Sequence, residues 1–160
     1  MAAPADFELG EALGSGQFGV VHRAVHLPTT STVALKLCST VALPDPKLLH
    51  RLRQEARVLM LLSHANIVRC FGSIELQTQL CTILAHVPGE SLAHIVSREG
   101  ALDEATAAPI ILQVARALRH CHERKVSHRE CVYNRTPPAL MLPTPLPAAP
   151  TPSTPMLPTS

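Results

Sequence analysis

Proline divides this chain into a part able to fold and a part that cannot build regular structure. Nine of its 15 prolines follow Thr136, in a run made almost wholly of Pro, Thr, Ala, Leu and Ser. Proline brings no amide hydrogen to a helix or a sheet ladder, and a run without period, and without charge after Arg135, has nothing to organise it. Residues 131–160 are therefore expected to form a disordered Pro/Thr/Ala-rich tail, with an inert tail preferred to a proline-recognition ligand. What precedes the tail is enough for one ordinary domain. Hydrophobic residues make up 46% of the chain but aromatics only 2%, so the core must be built from Leu, Val, Ile and Ala.

Charge and cysteine content narrow the setting. A net charge of +2 is too mild to imply nucleic acid or a membrane surface as partner. Arg51, Arg53 and Arg57 read as the solvated face of a helix. Asp6, Glu8 and Glu11 near the start are unlike a signal peptide, and no apolar stretch reaches the ~18 residues that span a bilayer. Five cysteines, an odd number with no Cys-x-x-Cys pair, argue for reduced thiols and a cytoplasmic or nuclear compartment.

Before the tail, strands come first and helices later. Phe7–Gly14 and Phe18–Val25 flank a glycine turn, and Thr32–Cys38 follows the connection Pro28-Thr29-Thr30-Ser31. Three short antiparallel strands are expected there. Leu48, Leu52, Glu55, Leu59 and Leu62 recur at helical spacing. Ile67–Ile74 and Leu80–Val87 read as two more strands. A long helix from about Glu104 to Arg124 carries the stripe Ala107, Ile111, Val114, Leu118, then Cys121 or His122. Asp103 is its expected cap, and Pro109 sits awkwardly in an early turn.

Three features carry chemistry. Leu13-Gly14-Ser15-Gly16-Gln17-Phe18-Gly19-Val20-Val21 contains Gly-x-Gly-x-x-Gly, whose glycines allow backbone N–H groups to approach phosphates. It does not open a helix and does not end in Gly-Lys-Ser/Thr, so neither dinucleotide-binding nor Walker loops describe it. Alone it would be a hairpin turn. In Val33-Ala34-Leu35-Lys36-Leu37 the alternation puts small Ala34 and Lys36 on one face. Glu55 interrupts the apolar stripe of its helix, and a carboxylate buried without a partner is costly. Lys36 is the natural cation among the upstream strands. The two irregularities explain each other.

Taken together, these residues resemble a eukaryotic protein kinase of the serine/threonine type, over about Phe7 to Arg129. His64-Ala65-Asn66-Ile67-Val68 is similar to the family's His-Pro-Asn-Ile-Val turn and stands in the family's order and spacing. The resemblance implies an α+β fold: a kinase-like N-lobe at residues 7–87, with a five-stranded antiparallel sheet plus one helix. A hinge exit and a partial C-lobe helical fragment would follow at 88–130. It also implies ATP as ligand. Leu13, Gly14, Ser15, Gly16, Gln17, Phe18, Gly19, Val20 and Val21 would cover the triphosphate, with Val21 and Ala34 above the adenine. Lys36 would meet the α- and β-phosphates, held by Glu55. Leu84 would be the gatekeeper of a hinge Leu84-Ala85-His86-Val87-Pro88-Gly89, where the Ala85 carbonyl and the Val87 amide read the adenine edge.

The pattern breaks at His128-Arg129-Glu130. The family has Asp where Glu130 stands, with Asn five residues after it; here Asn134 lies one position early, and neither Asp-Phe-Gly nor Ala-Pro-Glu follows. Glu130 thus occupies the family's base position with one methylene too many, so no catalytic residue is assigned securely. Phosphoryl transfer depends on metal ions and a placed carboxylate. Mg²⁺ is not expected to be held by this chain, ATP affinity should be weak, and the chain itself should be inactive. An alternative is a non-catalytic interaction module that binds chaperones or regulators of a full-length kinase. Asp and Glu codons share their first two bases, so reading past an exon end within this codon would produce the replacement. His120-Cys121-His122 with His128 fits no four-ligand zinc spacing.

Overall fold

Alternation along one segment organises the whole sheet. In a computed structural model of the chain, which describes residues 4–16, 19–41 and 46–127, that segment is the central strand β3 (Ser31–Ser39). It pairs antiparallel with β2 (Gly19–His26) on one side and with β5 (Gln79–Ala85) on the other. The outer strands are β1 (Phe7–Gly16) and β4 (Cys70–Glu75), giving the order β1-β2-β3-β5-β4, antiparallel throughout. The expectations for Gln17, Phe18, His128, Glu130 and the tail lie outside the described residues.

The two faces of β3 have separate duties. Val33 and Leu35 pack with Ala24, Cys81 and Ile83, against which Phe7, Leu37 and Ile74 lean. Ala34 and Cys38 point the other way, toward helix α1 (Pro46–Leu61). Leu59 of α1 joins Ala34, Val68, Cys70 and Leu84, while Leu52 joins Cys38 and Leu80. Burying one such leucine is worth roughly 1.5–3 kcal/mol. Only aliphatic and thiol side chains of modest size fill these clusters, as the scarcity of aromatics requires.

Two helices follow the sheet. Helix α2 (Leu92–Glu99) is capped by the Ser91 side chain, which accepts from the His94 amide at 3.2 Å. It ends at Gly100, whose φ of +87° favours glycine. Helix α3 (Glu104–Glu123) is capped as expected by Asp103, which accepts from the Thr106 amide at 2.8 Å. Hydrogen bonding to Thr106, through its side chain first and its amide second, holds the Asp103 carboxyl below its usual range. Pro109 stays inside α3. Pro109 and Ala105, whose carbonyl an amide at position 109 would otherwise satisfy, are both exposed.

Helix α2 lies within the helical segment expected at 88–130, where the sequence alone sets no bounds for it. The structure corrects the sequence reading in three places. Strand β4 begins at Cys70 rather than Ile67, because Ile67 and Val68 are buried from the turn after α1. Strand β5 stops at Ala85, two residues short of Val87. The buried line of α3 ends at the expected Cys121 but runs through Ile110 and Ala117, each one residue before the expected Ile111 and Leu118, and Ile111 is 62% exposed.

Candidate functional site

The helix that carries Glu55 is positioned at its middle and at its C-terminal end. Its middle packs on β4 and β5. Its C-terminal end leads into a turn seated on α3, where Leu62, Ile67, Ala117 and Cys121 form one buried cluster. Asn66 Nδ2 donates to Gln113 Oε1 at 2.9 Å across the same joint. With α1 so held, Lys36 Nζ donates to Glu55 Oε1 at 2.6 Å. The lysine side chain is 13% exposed and the carboxylate 34%, so the pair lies at the rim of the core and keeps one side open. Thr82, directly opposite Lys36 across the β3–β5 ladder, is also buried.

An apolar wall lies on the same face. Ala34, Val68, Cys70, Leu84 and Leu59 form its buried part, with Val21, Ala85 and Val87 packed against it. Val21 pairs with Lys36 across β2–β3, and Ala34 with Leu84 across β3–β5. Five residues singled out from the sequence, Val21, Ala34, Leu84, Ala85 and Val87, therefore meet in one patch beside the ion pair. The Ala85 amide donates to the Arg69 carbonyl at 2.8 Å, which commits its N–H inward.

The glycine hairpin adjoins this face, since Val21 of its second strand pairs with Lys36. Leu13, Gly14, Ser15 and Gly16 end β1 and are exposed, while Gly19, Val20 and Val21 open β2 and are partly covered. Its glycines are there for different reasons. A Cβ on Gly19 would fall 2.0 Å from the Leu37 carbonyl oxygen, so packing alone demands glycine. At Gly14 and Gly16 a Cβ would meet nothing within 4 Å, and neither has a positive φ. The fold of the described residues does not explain glycine at these two positions.

Thiols near the site are muted. Burial pushes the Cys38 thiol up, opposed by the nearby Lys36 ammonium and assisted by the Glu55 carboxylate. Burial, then Cys38, pushes Cys81 to about 11. Cys70 is raised by burial and partly relieved by its contact with the Gly72 carbonyl. Among the described residues, no group of three His, Cys, Asp or Glu is disposed to hold a metal ion. No helix among them is long and apolar enough to cross a membrane.

A five-stranded sheet whose first two strands form a glycine hairpin, with a strand lysine tied to a helix glutamate, is the arrangement of a protein kinase N-lobe. Comparison with known proteins agrees: the protein kinase domain family matches residues 7–131, and the chain belongs to that family. Its serine/threonine type follows from its similarity to Aurora kinases. Aurora kinase C of Mus musculus is 37% identical over 125 residues, covering 78% of this chain and 45% of that protein. Aurora kinase of Dictyostelium discoideum is 35% identical over 78% of this chain and 33% of its own length. Aurora kinase A-A of Xenopus laevis is 34% identical over 78% of this chain and 31% of its own length. The chain thus spans less than half the length of the relatives it matches.

Proposed function

We propose that this face of the sheet holds ATP. The observation that carries the reading is the 2.6 Å contact between Lys36 and Glu55, which fixes an ammonium group beside the Val21, Ala34, Leu84 patch and next to the second strand of the glycine hairpin. In that reading the adenine lies beneath Val21 and Ala34, and the Ala85 carbonyl and Val87 amide read its edge. Lys36 takes the α- and β-phosphates. Gly14 and Gly16, which packing does not require, let backbone amides reach the triphosphate. The family's reaction is transfer of the γ-phosphoryl group to a protein serine or threonine, and Mg²⁺ supplies charge neutralisation there.

The 160-residue chain itself binds nucleotide weakly and does not transfer phosphate. Glu130 stands where the family has its base, and the sequence contains no counterpart of the Asp-Phe-Gly metal ligand. Titration of the chain with a fluorescent ATP analogue tests the reading. Saturable binding is expected that ATP displaces, that Lys36→Met weakens at least tenfold, and that transfers no labelled phosphate to a protein substrate. Binding unchanged by Lys36→Met would refute the site, and transfer would refute the inactivity.

Exposed Ile111 (62%) and Leu112 (50%) on α3 favour a second reading, a non-catalytic module that docks on chaperones or regulators of a full-length kinase. Association lost in Ile111→Ser/Leu112→Ser but kept in Lys36→Met would support it over the first.

A further inference from the structure

The joint that seats α1 on α3 contains two imidazoles that nucleotide binding does not use. The rings of His64, in the turn after α1, and His120, on α3, lie with centroids 4.9 Å apart and tilted by 42°. Each ring has one nitrogen committed as an acceptor. The Asn66 amide donates to His64 Nδ1 at 3.0 Å. Arg124 Nη1 lies 3.2 Å from His120 Nδ1, and because a guanidinium only donates, that nitrogen must accept. Both contacts require an unprotonated Nδ1, so each ring is neutral and carries its hydrogen on Nε2. His120 Nε2 is buried without a hydrogen-bond partner among the described residues.

We infer that the His64–His120 contact is an acid-sensitive latch holding the turn after α1 against α3. A proton added to His120 Nδ1 would face the Arg124 guanidinium, and one added to His64 Nδ1 would face the Asn66 amide hydrogen. Either addition breaks a hydrogen bond and places positive charge between the two elements. The titratable and charged groups around His120 are His64 from the turn, Glu123 at the end of α3 and Arg124 at its C-terminal cap. Glu123 is the sole acid of these, and it also lies 3.6 Å from Arg119.

Burial, then Arg124 and His64, hold the His120 ring below its ordinary 6.5. An unfolded histidine then takes up a proton more readily than the folded one. The latch is whole above pH 6.5 and weakens as pH falls from there through the lower native value. The Asn66–Gln113 bond and the buried cluster around Ala117 remain, so the turn loosens rather than detaches. Because α1 carries Glu55, loosening its end slackens the hold on Lys36; this last step rests on the nucleotide reading.

The test uses the 160-residue chain with His120→Phe, which keeps a ring in the joint and removes the titrating nitrogens. The chain has nine histidines, so the difference between the two proteins is read. On acidification from about pH 7.5 to about pH 5.5 the wild type should lose ~2–5 °C more in thermal midpoint than the variant. The His120 ring resonance should titrate below 6.5, and Arg124→Gln should move it upward. Equal pH slopes in wild type and His120→Phe, or a His120 ring titrating at or above its ordinary value, would overturn the latch. If His120→Phe does not fold, the ring titration in wild type and Arg124→Gln decides alone. Nucleotide titration at both pH values separates the two readings. Absence of binding at either pH overturns the nucleotide site and leaves the latch judged by its own titration, whereas unchanged affinity across a titrating latch overturns only the coupling.

Discussion

Gly19→Ala is the perturbation whose consequence the structure fixes most directly. Gly19 opens β2 opposite Gly16 and lies flat against β3. A Cβ there would come within 2.0 Å of the Leu37 carbonyl oxygen, 2.8 Å of its carbon and 3.0 Å of the Cys38 Cα. All three are backbone atoms, so no rotamer change relieves the overlap. The end of β2 must move at least about 1 Å from β3, disturbing the ladder where Val20 faces Leu37 and Val21 faces Lys36. A ladder bond contributes about 1 kcal/mol net, so losing two or three, with the packing beside them, should cost ~2–4 kcal/mol. Gly14→Ala and Gly16→Ala meet nothing within 4 Å. They should be neutral or slightly stabilising, by ~0.4–1 kcal/mol, because alanine restricts the unfolded chain. Urea denaturation followed by circular dichroism measures all three from their midpoints. A Gly19→Ala protein within ~0.5 kcal/mol of wild type, or a Gly14→Ala protein as damaged as Gly19→Ala, would refute the assignment of one glycine to packing and two to a ligand.

Other perturbations probe the rest of the face. Lys36→Met and Glu55→Gln should each destabilise the chain. Their double-mutant cycle should give a coupling of ~1–3 kcal/mol, between the values for exposed and fully buried pairs because the carboxylate is partly open to water. A coupling near zero in denaturant titrations would mean that the contact is incidental. The Cys81 thiol, raised to about 11, contributes stability that is whole below its ordinary 9.0 and is lost as pH rises toward 11. Iodoacetamide at about pH 8 should therefore label Cys81 only as the chain unfolds, and mass spectrometry showing prompt modification of the native protein would contradict its burial.

The parts of the site legible in the sequence were those that broke a pattern. Glu55 stands in an apolar stripe and Lys36 on a strand with buried flanks, and a polar group in such a place needs a partner. The only short list of cations lay upstream. Strand β3 was legible because both of its faces are buried with opposite demands: large Val33 and Leu35 on one, small Ala34 and Cys38 on the other. The start of β4 was not, because an apolar run says that residues are buried without saying whether a turn or a strand buries them. Helix α2 left only faint marks, a serine cap and a closing glycine, since it is two turns long and has no buried residue.

The rotation of α3 shows a different limit. Reading hydrophobic size selects Ile111 and Leu118 as the inward line, yet the residue that meets the turn after α1 is Ala117, which is 0% exposed. Where a helix must approach another segment closely, the small residue marks the contact and the large ones flank it or turn outward. That close approach also brings His120 against His64. A histidine on a partly exposed helix face violates no apolar pattern and demands no partner, so nothing in the chain's linear order could have joined the two rings. The Lys36–Glu55 pair is forced by energetics that the sequence displays, whereas the imidazole pair follows from a packing distance that only the folded joint defines.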